Sequence, residues 1–285
     1  MTKQDVIRRI LDYHPFVENY HGCDGFKTGY EKEICTGVAT AISPSVSVIQ
    51  KAAEAGCNLL VVHEPTFYTT EDVPEWPFEF TNKIYEEKAA LIKKYHMTIW
   101  RDHDHMHMHQ PDSIMAGVVK GLGWEQYLES ESTDPPFVYR FKLPETTVGE
   151  LAGYLKEKFC LNGLRYIGNA DSKISKVAIV GHLIQNAFGY DHPDQNGNIM
   201  EYSTAILREM ENGLDAIIPG ELIEWTILSY IKDAVQLGKC KTVFNCGHFN
   251  LEALGMKEAA NWISGLVKGE VPVTYINAGD FYDFY

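Results

Sequence analysis

Three short segments of the chain combine histidine with acidic residues, the side chains that bind divalent transition metals most readily. The first is His63-Glu64, and the second is the segment 101–109, with the sequence RDHDHMHMH. In the third, GHFNLE, His248 precedes Glu252 by four residues, so both would project from one face of a first helical turn. Imidazoles and carboxylates together can hold two metal ions that activate water. The three segments therefore predict a two-metal site.

Each segment also has a plainer interpretation: a turn cap at His63, an exposed strand over 101–109, and an ordinary helical pair at His248. If the strand that begins at Met97 continues, the four histidines of the second segment alternate onto one face. Burying four imidazoles there is costly unless something binds their lone pairs. Because all three segments follow predicted strands, we expect metal binding. The pattern leaves open which histidines of 101–109 are ligands.

The elements that would position these segments alternate between strands and helices. They are, in order, a strand over 32–42, a helix from Ser43-Pro44 to Gly56, a strand over 58–63, a helix over 83–95 and a strand from Met97. We interpret Ser43 as the helix N-cap, with Pro44 in the first helical position. This βαβαβ order predicts a parallel sheet with right-handed crossovers, and ligands bind beyond the carboxyl ends of such strands.

A change in composition follows Gly123, and the polar, proline-rich stretch 128–136 predicts a linker. A second set of elements follows it: strands over 137–143, 164–168, 176–181, 215–219 and 242–245, helices from Thr147, over 204–212 and over 222–237, and a polar loop over 184–198. We predict an α/β fold with two α/β domains, mainly parallel or mixed sheets, and the metal site at the inter-domain cleft. The metal-binding domain would comprise 1–126 plus 245–285, and the domain 127–244 would be inserted into it.

Composition narrows the classes of partner and compartment. The 285 residues carry a net charge of −14, with 39 acidic against 25 basic residues. Since such a surface repels phosphate backbones, we expect a small-molecule substrate rather than nucleic acid. No apolar run is long enough to span a membrane, and residues 1–15 predict a helix capped by Thr2 rather than a signal peptide. We therefore expect a cytoplasmic protein. The six cysteines form no CxxC pair and are interpreted as scattered thiols, with Cys246 the one nearest a predicted ligand.

Taken in order, these segments resemble the Nif-three-like dinuclear metal-centre family, whose members are often named GTP cyclohydrolase type two homologs. AGCNLLVVHEPTFY is similar to the family's strand ending in His-His-Pro, and YHMTIWRDHDHMH to its strand ending in His-Thr-x-x-Asp. PGELIEWTILSYIKDAVQLG resembles its Gly-Glu-x-x-Glu helix, CGHFNLEALGMKEAANWI its Gly-His-x-x-x-Glu segment, and VTYINAGDFY its last strand. The resemblance covers nearly the whole chain, with order and spacing in agreement.

The resemblance implies two divalent ions, zinc, iron or manganese, about 3.5–4 Å apart. It places their ligands at His63, Glu64, His107, His248 and Glu252. Glu64 stands where the family has histidine and His107 where it has aspartate, so three histidines and two carboxylates remain either way. His103 takes the place of the neighbouring histidine and is the candidate catalytic proton carrier. His105 stays open as an alternative to His107, because the sequence distance from His107 to Leu122 is one residue shorter than the family pattern implies.

Two functions of different classes remain open from the sequence. The first is a metal-dependent hydrolase that acts on an unidentified small molecule, and the second is a non-catalytic metal-binding regulatory or scaffold protein. The resemblance implies a ring-shaped homohexamer, which suits both. Glu221 and Glu224 match the family's acidic pair, but no residues support guanine recognition. The family's glycine-rich turn is here Val180-Gly-His182, so substrate contacts do not carry over from that position.

Overall fold

The computed structural model describes residues 1–285 and has a mixed α/β architecture. The helices are α1 (Lys3–Tyr13), α2 (Val46–Glu54), α3 (Lys83–Lys94), α4 (Asp104–Met108), α5 (Ser113–Leu122), α6 (Val148–Lys158), α7 (Tyr202–Glu211), α8 (Ser229–Gln236) and α9 (His248–Val267). Short 3-10 turns occur at Glu125–Tyr127 and Ala187–Gly189, and a π-helical turn at Glu224–Leu228 precedes α8.

Thirteen strands accompany the helices. They are β1 (Gly25–Phe26), β2 (Val38–Ala41), β3 (Leu59–Val62), β4 (Thr98–Arg101), β5 (Leu128–Thr133), β6 (Pro136–Thr147), β7 (Arg165–Ile167), β8 (Lys173–Val180), β9 (His192–Pro193), β10 (Ile199–Met200), β11 (Ala216–Pro219), β12 (Thr242–Asn245) and β13 (Val273–Tyr275). Both parallel and antiparallel pairs occur, as the sequence predicts for a mixed α/β fold.

The first compact unit comprises Met1–Gly121 and Glu252–Ala278. Its sheet has the order β1-β4-β3-β2-β13, in which β13, β2, β3 and β4 are parallel and β1 is antiparallel. The predicted βαβαβ order is thus confirmed. Val62 of β3 pairs with Arg101 of β4, so the chain leaves both strands at the same edge of the sheet. This register brings His63 next to the segment that follows Arg101.

The core of this unit explains why its strands have continuous apolar sequences. All residues of β2, β3 and β4 are buried, which requires both faces of the sheet to be covered. Apolar side chains of α2 and α3, including Ile49 and Ile92, pack with Leu60, Val62 and Ile99 of the strands. Burial of each such side chain contributes about 1.5–3 kcal/mol. The strand ends that lead to His63 are therefore held rigidly.

The second compact unit comprises Leu122–Leu251 and Gly279–Tyr285. Its six-stranded sheet has the order β5-β6-β8-β11-β12-β7, and β8, β11 and β12 run parallel. Their carboxyl ends lie at one edge and lead to His182, Glu221 and His248, respectively. Tyr202, Ile206 and other apolar side chains form the core on which this sheet packs.

Two sequence-based predictions of local structure are wrong. Helix α2 is capped by Ser45 rather than Ser43, because the Ser45 hydroxyl accepts the Val48 N–H at 3.3 Å and the helix begins after Pro44. The stretch predicted as a linker forms β5, which pairs with β6. Its side chains are polar because β5 is an edge strand with mostly exposed residues, where charges discourage pairing with other chains.

Other local predictions are confirmed. Thr2 caps α1, and α6 begins after Thr147, each helix in a capping box, with Asp5 and Glu150 as the respective acidic partners. Gly56 adopts the left-handed conformation, with φ +76°. The domain limits at 126/127 and 244/245 and the cleft between domains stay predictions. No helix has the length and apolar character needed to cross a membrane.

Helices α5 and α9 approach each other through small residues. A Cβ atom added at Gly117 would lie 2.7 Å from the Gly255 Cα, and one added at Gly255 would lie 2.7 Å from the Ile114 carbonyl oxygen. The two helices are thus in backbone contact, without room for a side chain. This contact fixes the position of α9, the helix whose first turns carry His248 and Glu252.

We predict that Gly255→Ala destabilises the protein by about 1–3 kcal/mol, the usual cost of overpacking. Gly265→Ala on the same helix is the matched control, because a Cβ there meets nothing within 4 Å. That control should gain up to about 1 kcal/mol through helix propensity. Urea denaturation measures both free energies of unfolding. Equal effects of the two substitutions would contradict the close helix contact.

Candidate metal centre

His63 and Glu64 lie in a rigid turn that follows β3. His63 is fully buried and Glu64 is 6% exposed. Their backbone N–H groups both donate to the Ile42 carbonyl, while the guanidinium of Arg101 donates to the His63 carbonyl at 3.0 Å. These hydrogen bonds hold the backbone of the turn at the edge of the sheet. The position of the backbone in turn sets the direction of both side chains.

The turn is held further along by two buried charged side chains. Asp72 accepts the backbone N–H groups of Thr66 and Phe67 at 2.6 and 2.9 Å. Lys88 donates to the Thr66 carbonyl at 2.5 Å, and burial lowers the pKa of this lysine to about 8. These contacts brace the backbone just after Glu64.

The segment after β4 is a helix and not the continued strand that the alternation of its histidines suggests. The strand ends at Arg101, and α4 spans Asp104–Met108. The carboxylate of Asp24 accepts the backbone N–H groups of His103, Asp104 and His105, which starts the helix. Helical spacing then places His103 and His107 on one side. His105 points elsewhere, with its Nδ1 2.7 Å from the carboxylate of Asp24.

Three imidazoles come together at this edge, those of His63, His103 and His107. The ring centroids of His63 lie 4.4 Å from His103 and 4.9 Å from His107, and one nitrogen of each ring falls within 4.8 Å of the others. Each Nδ1 has its own acceptor 2.8–3.0 Å away; these are the Asp102 carbonyl, the Asp104 carboxylate and the Asp112 carboxylate. Such partners orient metal-binding histidines and leave Nε2 as the ligand atom.

Two buried carboxylates complete the group of potential ligands. Glu64 and Glu252, the latter 7% exposed, have oxygens within 4.8 Å of each other and of a His63 nitrogen. The Oε2 atom of Glu252 lies 3.3 Å from Nε2 of His63. His63 therefore belongs both to the set of three imidazoles and to the set with two carboxylates. The first compact unit thus holds five potential ligands, His63 and the four side chains around it.

The donor atoms around His63 call for a cation. The Nδ1 proton of His63 is donated to the Asp102 carbonyl, so Nε2 presents a lone pair. This lone pair faces Nε2 of His107 at 3.2 Å and the carboxylate of Glu252 at 3.3 Å. Since lone pairs at such distances repel, a proton or a metal ion must lie among them. The residues therefore fit a divalent metal.

The protonation of His107 shows how strongly the site attracts positive charge. Burial lowers the pKa of His107, but the hydrogen bond to Asp112 and the charges of nearby carboxylates outweigh it and raise the pKa to about 9. When no metal is bound, His107 therefore carries a second proton that a metal would displace.

His103 has the opposite tendency. Burial lowers the pKa of His103, and the hydrogen bond to Asp104 offsets this only in part. The same hydrogen bond is the main cause that holds the pKa of Asp104 well below its usual range, and Tyr20 also donates to this carboxylate. His103 is consequently neutral near pH 7, with its Nδ1 proton directed at Asp104.

His248 lies in the second compact unit, and its role as a ligand stays a prediction. Its Nδ1 atom lies 3.3 Å from Oε1 of Glu221, and its ring meets the ring of His182 edge-on at 4.6 Å. Cys246, two residues before it, is buried, and burial raises the pKa of its thiol, which makes it a poor ligand.

Sequence reasoning missed the residues that orient the histidines. Asp112 caps the start of α5 by accepting the Met115 N–H and also receives the Nδ1 proton of His107. A signal for it exists, because aspartate directly before an apolar helical run is a typical N-cap. Asp104 directly follows the histidine that it orients, whereas Asp24 gave no comparable signal, since its contacts depend on the pairing of β1 with β4.

Comparison with known proteins places the chain in a family. The family model described as Duf34/NIF3 (NGG1p interacting factor 3) matches residues 1–182, and the chain belongs to this family. It is 23% identical over 258 residues to the GTP cyclohydrolase 1 type 2 homolog of Clostridium acetobutylicum, covering 87% of this chain and 84% of that protein. The protein of the same name from Clostridium perfringens is 24% identical over 265 residues, covering 88% and 87%.

Solved structures agree with this assignment at the level of the fold. A Bacillus cereus protein related to NIF3 is similar with a TM-score of 0.71 at 14% sequence identity, covering 100% of this chain and 99% of that one. The Staphylococcus aureus protein SA1388 has a TM-score of 0.68 at 16% identity, with the same coverage. The mixed α/β fold is therefore shared with these proteins.

We predict a pH-dependent loss of stability in protein from which metal has been removed by chelation. The pKa of His107 is raised from 6.5 to about 9, so its protonation stabilises the folded state. This contribution is complete below pH 6.5 and is lost as the pH rises through about 9. Denaturant titrations from about pH 6 to about pH 9.5 should show the loss in the wild type and not in His107→Gln. Parallel profiles of the two proteins would contradict this protonation state.

Proposed function

We propose that the chain binds two divalent metal ions through His63, Glu64, His107, His248 and Glu252. The observation that carries this proposal is the position of His63, whose Nε2 lone pair faces both an imidazole nitrogen and a carboxylate oxygen. Zinc, iron and manganese all accept mixed imidazole and carboxylate ligands. The charge of the set, with two carboxylates, suits divalent rather than monovalent ions.

We further propose that the protein is a metal-dependent hydrolase of a small molecule. A bound divalent metal polarises a carbonyl or phosphoryl oxygen and lowers the pKa of bound water towards about 7. His103 is the proposed proton carrier, because it is neutral and its Nδ1–H is held by Asp104. The name of the Clostridium relatives refers to a hydrolase, which supports this class of reaction.

Two further features support the proposed substrate and assembly. The net charge of −14 favours a small molecule over a nucleic-acid polymer.

We also propose a homo-oligomer, a hexamer by family resemblance. Exposed aromatic residues such as Phe16 and Trp225, which are 90% and 69% exposed, suit burial between subunits. Light scattering coupled to size exclusion measures the assembly, and a monomer at all concentrations would contradict it.

The first functional prediction concerns which histidines hold metal. After reconstitution, elemental analysis should find two divalent ions per chain in the wild type, and fewer in His107→Gln. His105→Gln should retain both ions, because its ring is engaged with Asp24. His103→Gln should also retain them while it loses turnover. Loss of metal from His105→Gln, with His107→Gln unaffected, would show that the wrong histidine has been assigned.

The second prediction concerns turnover of whichever phosphate ester or cyclic amide proves active in a substrate screen. Glu252→Gln removes the charge of a proposed ligand and keeps nearly the same side-chain shape. We expect kcat to fall by at least about 100-fold, because substitution of groups that only support a ligand already lowers activity by about 10–100-fold. Glu258→Gln, on the same helix and paired with Lys120, is the matched control and should keep its activity. Activity that survives both Glu252→Gln and metal removal would contradict the metal-dependent hydrolase, and a screen without any metal-dependent turnover would favour the non-catalytic scaffold.

A further inference from the structure

The second compact unit contains a pocket of about 540 Å³ at the carboxyl edge of its parallel strands. This volume lies in the range that encloses a small organic ligand. Glu221, which follows β11, and His248, which follows β12, both line it. The C-terminal residues Gly279–Tyr285, here called the strap, supply much of the remaining lining. The pocket is therefore built where parallel sheets commonly bind ligands.

The charged lining of the pocket is predominantly negative. One guanidinium, that of Arg165, stands against four carboxylates, those of Glu221, Glu224, Asp280 and Asp283. Arg165 lies 3.4 Å from Glu224, but both side chains are largely exposed, so this ion pair contributes little. The lining therefore disfavours anions such as phosphates and favours a cation.

The carboxylates differ in how far they are already engaged. Asp280 accepts backbone N–H groups of Asn162 and Tyr282 and the side-chain amide of Asn250, so it serves the structure. Asp283 has no comparable hydrogen bond and lines the same pocket. Asp283 is thus the carboxylate best able to receive a charged group of a ligand.

Aromatic rings provide the apolar part of the lining. Phe249, Phe281, Tyr282 and Phe284 all contribute. Phe281 packs edge-on against Phe249 at 4.9 Å and remains 54% exposed, which leaves its ring accessible. Aromatic faces attract cations and stack on planar groups. Negative charge and aromatic rings in one pocket favour a ligand that is both planar and positively charged.

The strap is anchored and forms a defined wall. The side-chain amide of Asn162 donates to the Tyr282 carbonyl at 2.8 Å, in addition to the contacts of Asp280. Gly163 lets the ring of Phe284 approach closely, since a Cβ atom there would lie 2.6 Å from that ring. The aromatic side chains of the strap are therefore held against the pocket by specific contacts.

We infer that this pocket binds a small planar organic cation, an aromatic amidinium or ammonium compound, between the rings of the strap and the carboxylate of Asp283. The residues that define the pocket all belong to the second compact unit. Binding there does not require the three imidazoles of the first unit. His248, a proposed metal ligand, also lines the pocket, so the binding test is run on both metal-free and metal-loaded protein to tell the two proposals apart.

Calorimetric titration with benzamidine, benzamide and benzoate tests the charge requirement, because the three probes share a planar ring and differ in charge. Benzamidine should bind at least about tenfold more tightly than neutral benzamide, a difference within the reach of cation–π attraction and a nearby carboxylate. Benzoate should show no binding. Equal binding of all three, or none by benzamidine, would overturn the inference.

Four variants locate the binding. Asp283→Asn and Phe281→Leu should each weaken benzamidine binding by about fivefold to tenfold. Their matched controls lie in the first unit: Asp12→Asn, also exposed, and Phe78→Leu, where the ring is 53% exposed against 54% for Phe281. Neither control should change the affinity. Affinity unchanged in both pocket variants would place the cation elsewhere, and binding that requires loaded metal would assign it to the metal centre. Either result would overturn the inference.

Discussion

The geometry of the candidate metal centre depends on the convergence of lone pairs at His63. Its Nε2 atom faces an imidazole nitrogen at 3.2 Å and a carboxylate oxygen at 3.3 Å, an arrangement that needs a proton or a metal ion between these atoms. Much of the surrounding hydrogen bonding maintains this arrangement. The Asp102 carbonyl, Asp104 and Asp112 each fix one ring through Nδ1, and Asp24 fixes the helix that carries two of them.

In both sheets, the ends of adjacent parallel strands bring residues that are distant in sequence close together. In the first sheet, β3 and β4 end side by side, so His63 and the start of α4 lie at the same edge. In the second, β8, β11 and β12 end beside His182, Glu221 and His248. Adjacent parallel strands release successive loops at the same edge, so residues far apart in sequence become neighbours. This explains why the short motifs that carry the chemistry all follow buried apolar strands.

The same logic explains what the sequence could and could not predict. Continuous apolar runs identified the parallel strands, and the resemblance to the family named His63, Glu64, His107 and Glu252 as potential ligands. The run of histidines was misread as a strand, because its helix depends on Asp24, a residue about 80 positions earlier in the chain that meets its N–H groups. β5 was misread as a linker, because an edge strand tolerates polar residues on both faces. Long-range partners, rather than local propensity, decided both cases.

The central claim is that a divalent metal ion is bound at Nε2 of His63. Anomalous diffraction from crystals of metal-loaded protein, recorded on both sides of the absorption edge of that metal, tests it most directly. The account predicts an anomalous peak within bonding distance of His63 Nε2, at about 2.0–2.2 Å, with an oxygen of Glu64 or Glu252 also bound. A map without a peak there, with His63 and His107 still in direct hydrogen-bonding contact, would contradict it.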